Sequence, residues 1–252
     1  MKKMIRLNKY LSERGIGSRR KCEQLIKEGK IAVDNRVVTS LSTKVDARTH
    51  TISLKGKKIP PPQINRYFLL HKPRGYITTM HDPSGRPTIT QFFPAIKERL
   101  FPVGRLDCQS QGLLLLTNDG ALAYRLTHPK FKVPKVYMVK VQGIIPRAAC
   151  RTLKKGVYLE DGLVQVEKIK IVRYTKTNSW INVTITEGKN QIIRRIFRKL
   201  GFAVLKLTRI QFAFLRLDRL KPGEYRTLTP GEIKKLCEMV NLNNNETSYN
   251  TV

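Results

Sequence analysis

The strongest constraint on how this chain can fold lies in residues 103–120, which read Val-Gly-Arg-Leu-Asp-Cys-Gln-Ser-Gln-Gly-Leu-Leu-Leu-Leu-Thr-Asn-Asp-Gly. The segment starts as a strand and breaks at a polar loop over 107–111. It re-enters the interior as an apolar strand over 113–116 and turns at Asn118, Asp119 and Gly120. A polar break between two buried segments presents the acid Asp107 at the mouth of a loop.

That acid sits in a chain built to attract polyanions. Lys and Arg number 49 against 18 Asp and Glu, a formal net charge of +31. Such a balance speaks to partners, not to fold. The matching polyanion is nucleic acid, with binding that weakens steeply as salt rises. An anionic membrane surface is the competing partner, but the basic residues spread through segments that read as folded and do not gather on one amphipathic helix. No apolar run is long enough to span a bilayer, and the charged start, Met-Lys-Lys-Met-Ile-Arg, has no apolar stretch after it. A cytoplasmic protein is expected. Cys22, Cys108, Cys150 and Cys237 show no Cys-x-x-Cys spacing, and His50, His71, His81 and His128 are equally scattered. Neither a disulfide framework nor a metal site is expected, and there is no phosphate-loop or dinucleotide glycine pattern.

The 252 residues suffice for one large domain or two smaller ones. Leu7, Tyr10 and Leu11 recur at helical spacing before Gly15. Ser18 can cap a second helix that ends at Gly29 and opens with Arg19, Arg20 and Lys21, where charge and free backbone N–H groups suit a phosphate. Strand, turn and strand follow over 31–38. This gives a small helix-helix-strand-strand domain over 1–54. A stiff Pro/Lys linker is expected over 55–65. A larger domain fills 66–240, beginning with a strand from Tyr67, a turn at Lys72 to Gly75 and a second strand over 76–79. Further strands are expected over 135–141, 165–174, 180–186 and 204–217, with helices after Asp119, after Pro146 and over 193–200. A capping box at Thr229 to Glu232 starts the last helix. A polar, disordered tail is expected over 241–252. Strands in hairpin-like order with interspersed helices indicate an α+β class with a mixed, mostly antiparallel sheet.

Residues 103–120 resemble the signature of the RsuA/RluB family of ribosomal RNA pseudouridine synthases, which runs Gly-Arg-Leu-Asp, four variable residues, then Gly-Leu-Leu-Leu-Leu-Thr-Asn-Asp-Gly. Residues 6–35 resemble the RNA-binding module first named for small-subunit ribosomal protein four, which that family carries at this end. The resemblance implies the pseudouridine synthase fold with its active site in the sheet's central cleft. It implies isomerisation of a uridine in ribosomal RNA, on free RNA or a pre-ribosomal particle, by a monomer without cofactor or metal. Breaking the C–N glycosidic bond, turning the base and rejoining it through carbon changes no oxidation state, and the base must first be swung out of its helix.

By the same resemblance Asp107 is the nucleophile, acting on ribose C1′, on base C6 or toward a sugar proton. Read alone, it is also compatible with a loop acid paired to Arg105, two residues away. Arg194, in Glu187-Gly-Lys-Asn-Gln-Ile-Ile-Arg-Arg-Ile, aligns with the arginine implied to pair with that acid. It flanks the helix's apolar face near the helix start, where the dipole disfavours a cation, which points to a partner elsewhere. A phosphate-binding or surface arginine is the alternative, and is expected for Arg195 and Arg198. Tyr137 aligns with the family's active-site tyrosine, a ring to stack on the base and a hydroxyl to help move a proton; core packing is the alternative. Arg105, Lys189 and Arg195 are further substrate contacts. Arg6, Lys9, Ser18, Arg19, Arg20 and Lys21 are the RNA-contact candidates of the first domain. The chain departs from the pattern at His71, where Asn is usual, at Gln191 and Ile192 for Arg-Gln, and at Ala213 and Phe214 for Gly-Pro. The paired Arg194 and Arg195 lean toward the large-subunit branch. The alternative function is a non-catalytic RNA-binding or ribosome-assembly protein on the same fold. A DNA-binding protein would rest on charge alone.

Overall fold

A computed structural model describes residues 4–242. The first domain comprises β1 (Ile5–Arg6), α1 (Leu7–Glu13), α2 (Arg19–Lys27), β2 (Ile31–Val33), β3 (Arg36–Val37), β4 (Lys44–Val45), β5 (Ile52–Leu54) and β6 (Lys57–Lys58). Ser18 caps α2 by accepting from Lys21 N, and Gly29, at φ 65°, ends it. Asp34 and Asn35 make a left-handed turn between β2 and β3. Leu7, Leu11, Cys22, Ile26 and Ile31 close a core of their own.

The expected linker begins too early. Lys55 and Gly56 both take positive φ and turn β5 into β6, while Ile59 is buried and its N–H bonds Ile52 O. Two lysines and a glycine read as linker by composition, but they are a hairpin tip closed over a buried isoleucine. The four-stranded sheet runs β3-β2-β5-β6.

The second domain comprises β7 (Tyr67–Lys72), β8 (Phe101–Pro102), β9 (Gln111–Thr117), α3 (Gly120–Thr127), β10 (Lys135–Gln142), α4 (Arg147–Lys155), β11 (Val157–Leu159), β12 (Gly162–Val164), β13 (Lys168–Tyr174), β14 (Asn178–Ile185), α5 (Ile192–Lys199), β15 (Val204–Phe212), β16 (Leu215–Arg216), β17 (Tyr225–Thr227) and α6 (Pro230–Met239). A nine-stranded sheet runs β13-β14-β10-β15-β9-β7-β17, with β16 on β15 and β8 on β9. Among the described residues, β15 with β9 is the parallel pairing of its named strands; the others are antiparallel.

The apolar run of residues 113–116 forms the middle of β9, buried on both faces. Leu114 and Leu116 join the core under α4 and α5, and Leu113 and Leu115 the core under α3 and α6. Each such leucine contributes about 2 kcal/mol relative to an exposed one. In β10 and β14 burial alternates strictly, so one face is packed and the other is not. Asp119 caps α3 by accepting from Ala121 N and Leu122 N, and Thr229 and Glu232 form the reciprocal capping box of α6.

Residues 76–79 do not pair with β7, which lies between β9 and β17. Thr78 instead braces the loop before Asp107: its hydroxyl donates to Leu106 O at 2.5 Å and accepts from Leu106 N at 3.2 Å. The start of the expected tail also belongs to the packed body. Leu242 is 3% exposed and its N–H bonds Cys237 O. The rest of that expected tail, 243–252, lies outside the described residues.

Candidate active site

Asp107 lies on the loop between β8 and β9, half-buried. The loop is held by its main-chain carbonyls. Lys72 Nζ donates to Asp107 O at 3.2 Å, to Ser110 O at 2.8 Å and to Pro73 O at 3.0 Å. Gly75 N donates to Cys108 O, and Arg194 Nη2 to Gln109 O at 3.2 Å. All four carbonyls from Asp107 to Ser110 therefore have donors, and Asp107 O has a second in Ser110 N. A loop fixed this way fixes the carboxylate it carries. At its exit Gly112, at φ 113°, crosses β15 so closely that a Cβ would collide with the Arg209 backbone.

Asp107 and Tyr137 line one cleft of about 250 Å³. Tyr137 stands on β10 facing it, 8% exposed, and its hydroxyl has no hydrogen-bond partner among the described residues. Arg105, Glu187 and Lys189 edge the opening, and Ile192 and Ile193 from the start of α5 form a wall. Two buried cations complete the lining. Lys135 Nζ donates to Val133 O and Thr186 O; burial, with help from the Arg209 charge, brings its pKa down to about 8. Arg209, opposite Tyr137 across the strand pair, is 2% exposed and donates Nε–H to Leu113 O at 2.7 Å. Lys72, fully buried, is likewise lowered to about 8 by burial, against the pull of Cys108 and Asp107. The cleft thus offers a carboxylate, a tyrosine and a positive surround in a space fit for one extruded nucleoside. Among the described residues no group of His, Cys, Asp and Glu could hold a metal ion, and no helix is long and apolar enough to cross a membrane.

Arg194 differs from expectation in detail. No ion pair joins it to Asp107; its guanidinium bonds Val204 O and Gln109 O. Burial lowers its pKa, and the Asp107 charge works the other way, so the two groups feel each other without touching. Arg105 is exposed and makes no hydrogen bond or ion pair with Asp107. Arg195 clasps Asp161 at 2.6 and 2.9 Å, and Lys189 lies 3.4 Å from Glu187 and bonds Asp161 O. These two are tied to acids beside the cleft. In the first domain Arg6, Arg19, Arg20 and Lys21 are exposed, Lys9 pairs with Glu13 at 3.6 Å, and the Ser18 hydroxyl caps α2.

Lys72, Lys135 and Arg209 were not among the candidates. The signal for Lys72 is a lysine that follows the apolar run Tyr67–Leu70 and His71 at the end of a strand, just before Pro73. The departures prove local. Gln191 takes φ 46° at the start of α5, Ile192 enters the core, and Ala213 takes φ 55° in the β15–β16 turn, where glycine would be unstrained. His71 Nδ1 bonds Leu220 O.

Residues 66–199 match the family model for RNA pseudouridylate synthase, and residues 5–49 match the S4 domain. Over 235 residues the chain is 45% identical to ribosomal large subunit pseudouridine synthase B of Bacillus subtilis, covering 92% of this chain and 96% of that one. Over 239 residues it is 42% identical to an uncharacterized RNA pseudouridine synthase of Aquifex aeolicus, covering 94% and 96%. A crystal structure of a pseudouridylate synthase matches with a TM-score of 0.64 at 30% identity, over 92% of this chain and 99% of that one.

Proposed function

The chain belongs to the RNA pseudouridylate synthase family, with an S4 domain at its N-terminal side, and from that premise we propose that it isomerises a uridine of large-subunit ribosomal RNA, with Asp107 as the catalytic carboxylate. The large-subunit target is supported by the 45% identity to the Bacillus subtilis enzyme of that name. The observation that carries the residue assignment is that Asp107 and Tyr137, far apart in sequence, line one cleft while every carbonyl of the Asp107 loop is anchored.

In this reading the uridine leaves its helix and enters the cleft, where Tyr137 stacks on the base. Asp107 starts cleavage of the bond between ribose C1′ and base N1. The base turns, C5 bonds to C1′, and the C5 proton leaves, with the Tyr137 hydroxyl placed to help move it. One C–N bond is exchanged for one C–C bond and one C–H bond for one N–H bond, so the reaction needs no oxidant, reductant or net water. Lys72 and Arg194 act as positioning residues, through carbonyls of the loop. Arg19, Arg20 and Lys21, exposed at the start of α2, take phosphates of the same RNA.

Tritium release from ribosomal RNA labelled at uridine C5 and lacking modifications tests this. Wild type is expected to release tritium from large-subunit RNA, and Asp107→Asn to release none while binding the RNA as before. Release by the variant at the wild-type rate would remove Asp107 from the chemistry. Release from small-subunit RNA alone would overturn the target.

A further inference from the structure

Strands β13, β14, β10 and β15 bury one face under α4 and α5 and leave the other outside both hydrophobic cores. Register fixes what that open face carries. One rung across it reads Arg173, Trp180, Lys140, Lys206, and Lys170 and Lys168 continue along its edge strand. Arg173 lies 5.2 Å and Lys140 5.8 Å from the Trp180 ring. None of the four strands contains an Asp or Glu. Among the described residues none of these five cations has an ion pair.

Lys140 and Lys206 face each other directly across a strand pair, an arrangement that costs stability in the free protein. A polyanion removes that cost. The partly buried tryptophan narrows the class further, because a flat ring among cations on an open sheet suits an unstacked base with phosphates to either side. A duplex keeps its bases stacked and offers none to the ring. A groove of about 450 Å³ lined by Arg74, Gln109, Lys140, Trp180 and Lys206 joins this face to the back of the Asp107 loop.

We propose that this open sheet face is a second RNA-binding site, which holds a single-stranded segment of RNA with one base stacked on Trp180. It extends the RNA reading above, but its test is a binding measurement that needs no turnover.

Trp180 is the one tryptophan of the chain, so its fluorescence reports on this face alone. The full-length protein is titrated with oligouridine of about 12 nucleotides, within the site sizes such surfaces occupy, and with an RNA duplex of the same length. Saturable quenching by the single strand, and little by the duplex, is expected. In Lys140→Glu/Lys206→Glu most of the quenching is lost, and the slope of log affinity on log salt falls by about 1.4 for two phosphate contacts. Lys168→Glu/Lys170→Glu, on the edge strand, serves if the first pair does not fold. Oligouridine binding seen by anisotropy of labelled RNA without any change at Trp180 overturns the proposal. So does full quenching in the charge-reversed variants. A change in Trp180 emission with protein concentration and no RNA overturns it too, by giving the face to a second copy. Tritium release by wild type on unmodified ribosomal RNA separates the two readings. Its failure with quenching intact defeats the reaction assigned above, and its success without quenching defeats this face only.

Discussion

Around the Asp107 loop and on the open face of the same sheet, the same residue types are put to opposite uses. Lys72 is fully buried and gives all its donors to backbone carbonyls; Lys135, nearly as deep, bonds two carbonyls, and Arg209 gives its Nε–H to Leu113 O while its Nη2 has no partner among the described residues. Lys168, Lys170, Arg173 and Lys206 are exposed and have no ion pair among the described residues. The difference follows from the strand faces that carry them. β7 is buried on both faces, and Lys135 and Arg209 stand on the packed faces of β10 and β15, so each must find acceptors within the protein. β10, β13 and β14 are buried on one face, so a cation on the other keeps its water and its charge for a partner. A net charge of +31 therefore counts two populations, one that builds the site and one that recognises what comes to it.

Removing a builder should have the larger effect. Lys72→Met keeps the length of the side chain and takes away three donors, leaving the carbonyls of Pro73 and Ser110 buried without them. The expected loss is about 3 kcal/mol of stability, the cost of stranded polar groups less the relief of an unburied charge. The Asp107 loop then loosens, and kcat falls about a hundredfold, as a misplacement near 1 Å would cause. KM changes little, because Lys72 does not touch RNA. Denaturant unfolding together with tritium-release kinetics checks both. A stable variant with wild-type kcat would erase the distinction between building and recognising cations.

This distinction was only half legible in the sequence. The run around Asp107 announced its loop and its central strand because apolar residues and turn formers stand in an order few folds accept. Ser18 was placed by cap chemistry and the strand of Tyr137 by alternation, while its assignment to the site rested on the family resemblance. Lys72 stayed hidden because a lysine's burial depends on carbonyls that residues 107–110 bring from elsewhere in the chain. The hairpin at Lys55 and Gly56 was hidden by its lysines, which read as solvated linker until Ile59 is seen to pack beneath. The open face was equally unreadable, since alternation shows that a strand has two faces but not that one of them lacks a cover.

Removing recognisers should act on binding and spare the chemistry. Arg19→Ala/Arg20→Ala/Lys21→Ala takes three exposed cations from the start of α2, none of them with an ion pair among the described residues. The salt slope of RNA binding is expected to fall by about 2, and KM to rise about tenfold near physiological salt. The kcat stays at the wild-type value and unfolding is unchanged. A drop in kcat equal to that of Lys72→Met would mean that the first domain builds the site as well as delivering RNA to it.

The smallest expected effect concerns pH. Burial brings Lys72 from 10.5 to about 8. Below about 8 the amine is charged in both folded and unfolded chains, and the full cost of burying that charge is present. Between about 8 and 10.5 the unfolded chain holds a proton that the folded chain has released, so this group makes stability rise with pH, and above 10.5 the gain is complete. Lys135 acts in the same sense over the same window. Unfolding measured at pH 7.5 and 9.5 should therefore show a gain for wild type relative to Lys72→Met. Turnover should move the opposite way, declining severalfold as Lys72 sheds the proton that gives it a third donor for the loop. An equal pH response in wild type and Lys72→Met would mean that the buried amine titrates as a surface lysine does, and that its carbonyl clasp is looser than the distances imply.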